Sequence, residues 1–569
     1  MDKRFLLAIT LSAIVLVVTP LLFPSPPKTA ASIAADSLRV GSTAGATAAS
    51  RTPTAPAPTA APTIGAAPDT GLAATAFAAR PETTTVTAGR SSYRFVSPGA
   101  VPASVTLSDF QSLRERGQPL TLAAEQSPLL HYRLVMGADT VDLSTLPMRV
   151  TQSRAANGAP VVEFATAVRG GELTITNSFA PDSYLVHVRG TLTNAPAGTT
   201  LLVELPRGLR SHEADVANDL QSLAFSYKPP RDDPQGVKFS SLDSGTTRVA
   251  PGPIKWVALR NKYFLTAVIA RGAEFSEFRM TPGPEINRIV REASGVAALP
   301  LTQGRFELTL LAGPQKSRLL QAMGDGLENV NPYGGWLHGM VQPFATIVNN
   351  ILLWLKDTTN LNYGWVLIIF GVLVRLLLWP LNQSAMRNSI KMQRLQPELQ
   401  EIQKKYARDP EKQREALMKV YQSHGMSPFS PMLGCLPMLL PMPVLFALYF
   451  VFQNTIEFRG VSFWWLTDIS LKDPFYIIPV FMGLTMLLLS WIGMRGMPPN
   501  PQAKVMGYMM PAMMTLLFLN FPSGLNLYYA VQNVAAMPQQ WLLTRERQRA
   551  GVANSGAKQR APGTATARR

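Results

Sequence analysis

The chain has 569 residues, of which only 16% are charged, and a formal net charge of +17. Its one cysteine, Cys435, excludes an intrachain disulfide and a cysteine-based zinc cluster. Five histidines with no HExxH motif and no close pair give no basis for a metal site, and no cofactor is implied.

Residues 1–23 begin with Lys3 and Arg4 and continue as 19 apolar-rich residues from Phe5 to Phe23. At roughly 1.5 Å per residue that stretch is long enough for a transmembrane helix. A cleaved signal peptide is the alternative, and either reading sends the following residues across a membrane. Residues 24–80 are rich in Ala, Pro and Thr, cannot bury a core, and read as a disordered linker.

Residues 81–325 change character. Short alternating segments such as Glu172–Asn177 and Tyr184–Leu192 are separated by Gly, Pro, Asn and Asp. The pattern predicts a large β-sandwich domain. Its isolated Ser and Asp residues read as turn residues rather than members of a catalytic triad.

Residues 335–357 carry apolar residues at helical spacing, interrupted by Gln342, Asn349 and Asn350. They predict an amphipathic helix lying in the membrane interface. Five candidate spans follow within residues 361–541, at about Leu361–Leu381, Met432–Gln453, Phe475–Met494, Val505–Phe521 and Ser523–Trp541. The last two are joined only by Phe521-Pro522-Ser523-Gly524, which implies a tight hairpin. With the N-terminal helix the total is six spans in a polytopic α-helical membrane protein.

Charge sets the orientation. The N-terminus, loop 382–431, loop 495–505 and the tail carry a combined net charge of +13, whereas loop 454–474 is acidic by one. The positive-inside rule puts the first four segments in the cytoplasm and the β domain and loop 454–474 outside. Phe463-Trp464-Trp465 in that outer loop fits an interfacial aromatic belt better than a ligand cage.

Arg375 is the sharpest chemical signal. It sits in LIIFGVLVRLLLWPL, and none of the five spans contains Asp or Glu. An arginine at the centre of a span costs about 2.5–3.5 kcal/mol on the insertion scale, so such a residue faces a partner or a hydrated cavity. Snorkelling to inner headgroups is the plain alternative. Gln532 and Asn533 either line the same cavity or make interhelical hydrogen bonds. Twelve methionines between Met432 and Met514 suit a surface that accepts varied apolar partners, or fill a core. Residues 382–425 read as a solvated helical hairpin broken at Asp409-Pro410. The tail, 542–569, reads as basic and disordered, a topogenic signal or a contact for anionic lipid or ribosomal RNA.

Several motifs together carry a resemblance: Met392–Gly425, Gly434-Cys435-Leu436-Pro437, Met442–Tyr449, Asp473–Pro479, Phe521–Leu525 and Leu527-Tyr528-Tyr529. Over roughly residues 340–545 the chain resembles the YidC/Oxa/Alb family of membrane protein insertases, and its layout resembles the Gram-negative form. The resemblance implies an insertase and chaperone of the bacterial inner membrane, not a conventional enzyme, with a periplasmic sandwich and both termini cytoplasmic. It implies a five-helix core around a hydrophilic groove open to the cytoplasm, with Arg375 as the groove arginine and Tyr529 as the tyrosine of the last span. It implies an apolar slide of Leu439, Met442, Pro443, Ala447, Met513 and Leu517. The hairpin is implied to receive the incoming chain. The implied partners are nascent membrane proteins, the phospholipid bilayer, the Sec translocon and the ribosome, with no DNA. The chain departs from the family pattern at Pro441, where Gln is common, and at Gly371, where some members have Thr.

Two other classes compete. A small-solute transporter would show internal repeats or intramembrane acids, and the sequence has neither. A tethered binding protein would place the activity in the β domain, which carries no catalytic motif.

Overall fold

The computed structural model describes residues 83–123, 128–286, 289–331, 338–380, 409–423, 442–495 and 501–559, with a few isolated positions between 383 and 406. The expected N-terminal span 1–23, the linker 24–80 and most of the first hairpin helix lie outside the described residues.

The β domain is built from antiparallel sheets. Nine strands lie side by side in the order Gln235–Lys238, Ala224–Lys228, Trp256–Arg260, Phe264–Arg271, Arg305–Pro314, Leu185–Leu192, Gly171–Phe179, Pro160–Val168 and Arg149–Arg154. A six-stranded sheet runs Arg248–Ile254, Phe275–Pro282, Ala293–Pro300, Thr200–Leu205, His131–Met136 and Asp139–Asp142. A four-stranded meander covers 83–123.

Strand register decides how these sheets stack. Phe179 pairs with Val186, Val186 with Leu310, Leu310 with Val268, Val268 with Val257, and Val257 with Tyr227. Directly paired residues share a face, so these six define one apolar face of the long sheet. Both smaller sheets cover that face. The meander meets it through Phe95 on Phe164 and Phe179, and the six-stranded sheet meets it through Phe278 on Phe225 and Tyr227. The result is a sandwich with one long layer against two shorter ones. The long sheet's other face is covered near its centre by the segment after its last strand: the Trp256 indole donates to the Asp325 carbonyl, and Ser226 to that of Val330.

Nine helices stand among the described residues. In the β domain are α1, Val216–Gln221, and α2, Ser317–Met323. The helical region contains α3, His338–Thr359; α4, Tyr363–Leu377; α5, Pro410–Ser423; α6, Met442–Asn454; α7, Ile477–Met494; α8, Pro501–Phe518; and α9, Ser523–Gln559.

Local chemistry starts and stops these helices. The Asn362 side chain accepts from the Gly364 amide to cap α4 and donates to the Ser462 carbonyl. Pro410 opens α5, and Asp409 accepts from the Lys412 amide, so the expected break becomes a helix start. Buried Asp473 accepts from the amides of Phe475 and Ile478 and from the Trp465 indole, anchoring the entry to α7.

The expectation of an irregular tail over 542–569 is corrected as far as Gln559, where α9 ends, and residues 560–569 lie outside the described residues. A helix already nucleated within the bundle extends cheaply, and Arg547, Gln548, Arg549 and Ala550 are sound helix formers.

Only Ile477–Met494 is by itself long and apolar enough to cross a membrane among the described residues. Val341–Thr359 and Tyr363–Leu377 pass together as a pair bent by 118°. The described residues thus hold one such helix, or two if the bent pair is one span, and the expected first span lies outside them. At its 15 residues α4 spans about 22 Å. Helix α9 carries Asn526, Gln532, Asn533, Gln539 and Gln540, and the expected start of the second span lies outside the described residues.

Helix α3 has two apolar stripes. Val341, Ala345, Val348, Leu352 and Leu355 enter the helical core, whereas Phe344, Ile347, Ile351 and Trp354 are exposed.

The loop after α6 joins the two regions. The Arg459 Nε donates to both carboxylate oxygens of Glu213, at 2.8 and 3.0 Å, with side chains only 5% and 6% exposed. Arg459 also donates to the Gln111 carbonyl and lies over the Phe264 ring. Burial pushes the Glu213 carboxyl from its ordinary 4.5 up to about 7, while the Arg459 charge pulls it down. Asp219 and Lys262 face the same cluster.

Two outcomes follow from this packing. Phe306 lies across from Gly190 in the strand pair, with ring atoms 2.0 Å from where a Gly190 Cβ would sit. Gly190→Val destabilises the β domain by about 1–3 kcal/mol, read from urea unfolding of the full chain. A carboxyl with a raised folded value holds its proton more tightly when folded, so its stabilising contribution is full at low pH and is lost as pH rises through about 7. The full chain therefore loses thermal stability between pH 5 and pH 7.5 on account of Glu213, and Glu213→Gln shallows that slope.

Candidate functional site

The site grows from one arginine on an apolar helix. Arg375 lies in the last turn of α4, half-buried, in a helix whose other residues are apolar apart from Tyr363. Helices α4, α6, α7 and α8 contain no Asp or Glu, and α9 has none before Glu546. The guanidinium Nη2 donates to the Gln539 Oε1 at 2.8 Å. Its Nε is buried with no hydrogen-bond partner among the described residues. A positive charge at a helix C-terminus also meets the negative end of that helix's dipole.

Helix α9 lines the opposite side. Gln532 donates to the Gly371 carbonyl at 2.7 Å and to the Tyr528 hydroxyl at 3.2 Å. The Tyr528 ring packs on Phe370. Gly371 permits this approach, because a Cβ there would stand 3.0 Å from Val531 Cγ1. Tyr528, Gln532 and Gln539 thus form a polar seam between α4 and α9, with Arg375 near its C-terminal end.

The other expected residues are distributed elsewhere. Asn533 donates to the Met482 carbonyl and the Thr485 hydroxyl, which commits it to α7 rather than to Arg375. Tyr529 packs on Phe518 of α8. Ala447, expected on the apolar slide, is fully buried in the helical core, where a small side chain lets helices pack closely. Met442 and Pro443 lie in the first turn of α6, and Leu439 lies outside the described residues. Met513 and Leu517 are exposed on α8, on one stripe with Met506 and Met509. This stripe is a surface and not core filler.

Contacts also set helix direction. Gly371 meets Gln532 and Arg375 meets Gln539, so α4 and α9 run the same way. Met482 meets Asn533 and Ile492 meets Thr544, so α7 runs with them. Ser490 bonds the Gly507 carbonyl while Gly483 abuts Thr515, so α8 runs opposite. Phe452, near the end of α6, packs where Gly524 begins α9, which also turns α6 opposite.

Sequence reasoning missed Gln539. A glutamine among polar tail-proximal residues carried no signal until the fold set it against Arg375.

Comparison with known proteins gives concordant results. The family described as 60Kd inner membrane protein matches residues 354–550, and that described as YidC periplasmic domain matches residues 83–347. "Membrane protein insertase YidC" of Cupriavidus necator is 32% identical over 425 residues, 72% of this chain and 73% of its own length. The protein of the same name from Burkholderia cenocepacia is 30% identical over 397 residues, 68% of this chain and 69% of its own. A solved structure described as an active YidC insertase covers 82% of this chain and 95% of its own at 19% identity, with a TM-score of 0.34. With both regions matched and relatives of this identity spanning more than two thirds of each chain, the chain belongs to the YidC family of inner-membrane protein insertases, with a periplasmic β domain and a helical C-terminal region.

Proposed function

We propose that this insertase receives the polar part of a nascent membrane protein at Arg375 while the apolar part leaves along α8 into lipid. The observation that carries the reading is a half-buried arginine that faces a neutral glutamine, with no acidic side chain on α4, α6, α7 or α8 and none on α9 before Glu546. Its charge stays uncompensated, so an acidic or polar segment gains an attraction there that lipid cannot offer. The exposed Met506, Met509, Met513 and Leu517 supply an adaptable apolar track.

The same proposal includes a six-span topology in the inner membrane with both termini in the cytoplasm. Supporting it are the alternating directions of α4, α6, α7, α8 and α9, together with the basic loops and tail on one side. Residues 1–23 form the first span and 24–80 a linker. Helix α3 lies in the outer interface, with Phe344, Ile347, Ile351 and Trp354 in lipid and its other stripe on the core. The hairpin 382–425 meets the incoming chain, with Leu439, Met442 and Pro443 continuing the track. The basic residues of loop and tail suit contact with a ribosome, and the family resemblance implies work alone or beside the Sec translocon.

The test compares single-span substrates with acidic and with neutral translocated tails in reconstituted vesicles. Arg375→Ala slows insertion of the acidic-tail substrate about tenfold, the effect of losing roughly 1.4 kcal/mol of attraction, and Arg375→Lys restores part of it. Equal insertion of both substrates by Arg375→Ala, at normal abundance, overturns the role given to Arg375. Crosslinks from Leu517 to the substrate's apolar segment check the track.

A further inference from the structure

We propose that Gln539 is a positioning residue that holds the Arg375 guanidinium inward against α9 and leaves its charge available to the passing chain. The inference rests on the reading of Arg375 as the group that meets that chain.

Gln539 is 3% exposed, at a place where an apolar side chain would be the simple choice for helix packing. Both ends of its amide are used. The Oε1 accepts from Arg375 Nη2 at 2.8 Å, and the Nε2 donates to the Trp379 carbonyl at 3.1 Å. Trp379 lies two residues past the end of α4, so one glutamine bonds both the last turn of α4 and the chain just beyond it. Gln539 therefore anchors the segment after α4 and orients the arginine at once.

The orientation has a physical alternative. An arginine near a helix end normally extends its stem toward the headgroups, and fixing a long side chain costs rotamer freedom. The bond to Gln539 opposes that drift by drawing the guanidinium sideways into the seam. The identity of the acceptor is equally specific. A carboxylate at the same place would hold the guanidinium as well, but would pair with it and cancel its charge. A neutral amide accepts one donor and leaves the net charge intact. A guanidinium has five N–H donors, and Gln539 takes one. Glutamine is thus the side chain that fixes the direction of the group without satisfying it.

The test uses the full-length protein in vesicles and the ratio of acidic-tail to neutral-tail insertion. Gln539→Glu is nearly isosteric and keeps a hydrogen bond to Arg375. It lowers that ratio about tenfold, as far as Arg375→Ala does, because the carboxylate neutralises the arginine. Gln539→Met preserves bulk and removes the acceptor, and it lowers the ratio by a smaller factor because the charge survives but is no longer aimed. An anchoring role alone would leave the ratio unchanged in both variants while shifting thermal stability. An Arg375→Ala variant with an unaltered ratio overturns the reading of Arg375 and this proposal with it. A defective Arg375→Ala beside unaltered ratios in Gln539→Glu and Gln539→Met overturns the role of Gln539 alone.

Discussion

In a low-dielectric helical bundle every polar group needs a partner inside the bundle, and helix α9 supplies most of them. Its Tyr528, Gln532 and Gln539 turn to α4, its Asn533 and Thr544 turn to α7, and its Asn526 closes the turn from α8 by donating to the Phe518 carbonyl. Each bond fixes a neighbour in angle and register, because an unmade hydrogen bond there costs far more than one at a wet surface. On the described parts of α4 and α9 the arrangement leaves Arg375 Nε and Asn526 Oδ1 buried without a hydrogen-bond partner, and one of these groups is charged. That group is Arg375, whose cation meets an amide rather than a carboxylate.

The β domain follows a different logic. It is held by apolar area, with aromatic side chains from two smaller sheets placed on one face of the long sheet. Charge enters the interior at the junction, where Arg459 of the loop after α6 reaches Glu213 beneath the meander. Truncating one member of such a buried pair is costly because the other is left uncompensated. The pair therefore ties the periplasmic domain to the loop between α6 and α7, and Phe463, Trp464 and Trp465 of that loop cluster with Trp365 of α4.

Much of this architecture was legible in order and pattern. Alternating strands, Gly-bounded turns and apolar runs mark where each element lies, because periodicity is a local property of the chain. The lone arginine stood out for the same reason: a charge inside an apolar run is visible without any fold. Partner identity was not visible. Asn533 is adjacent to Gln532 in sequence yet bonds a different helix, since neighbours on a helix point about 100° apart. Ala447 matched an expected slide position and is buried, because which face of α6 meets α3 depends on packing between distant segments.

The sequence by itself determined the two-part organisation, the class of the β domain, the polarity of the loops and the unusual chemistry of Arg375. These are consequences of composition and period, which each segment carries alone. The tertiary structure decided that two sheets share one face of a third, that α4, α7 and α9 run in parallel, and that Gln539 holds Arg375. Those facts depend on residues far apart in sequence meeting in space, such as Met482 with Asn533 and Arg375 with Gln539, 51 and 164 positions apart. Hydrogen-bond direction and close packing select such meetings only once the whole chain has folded.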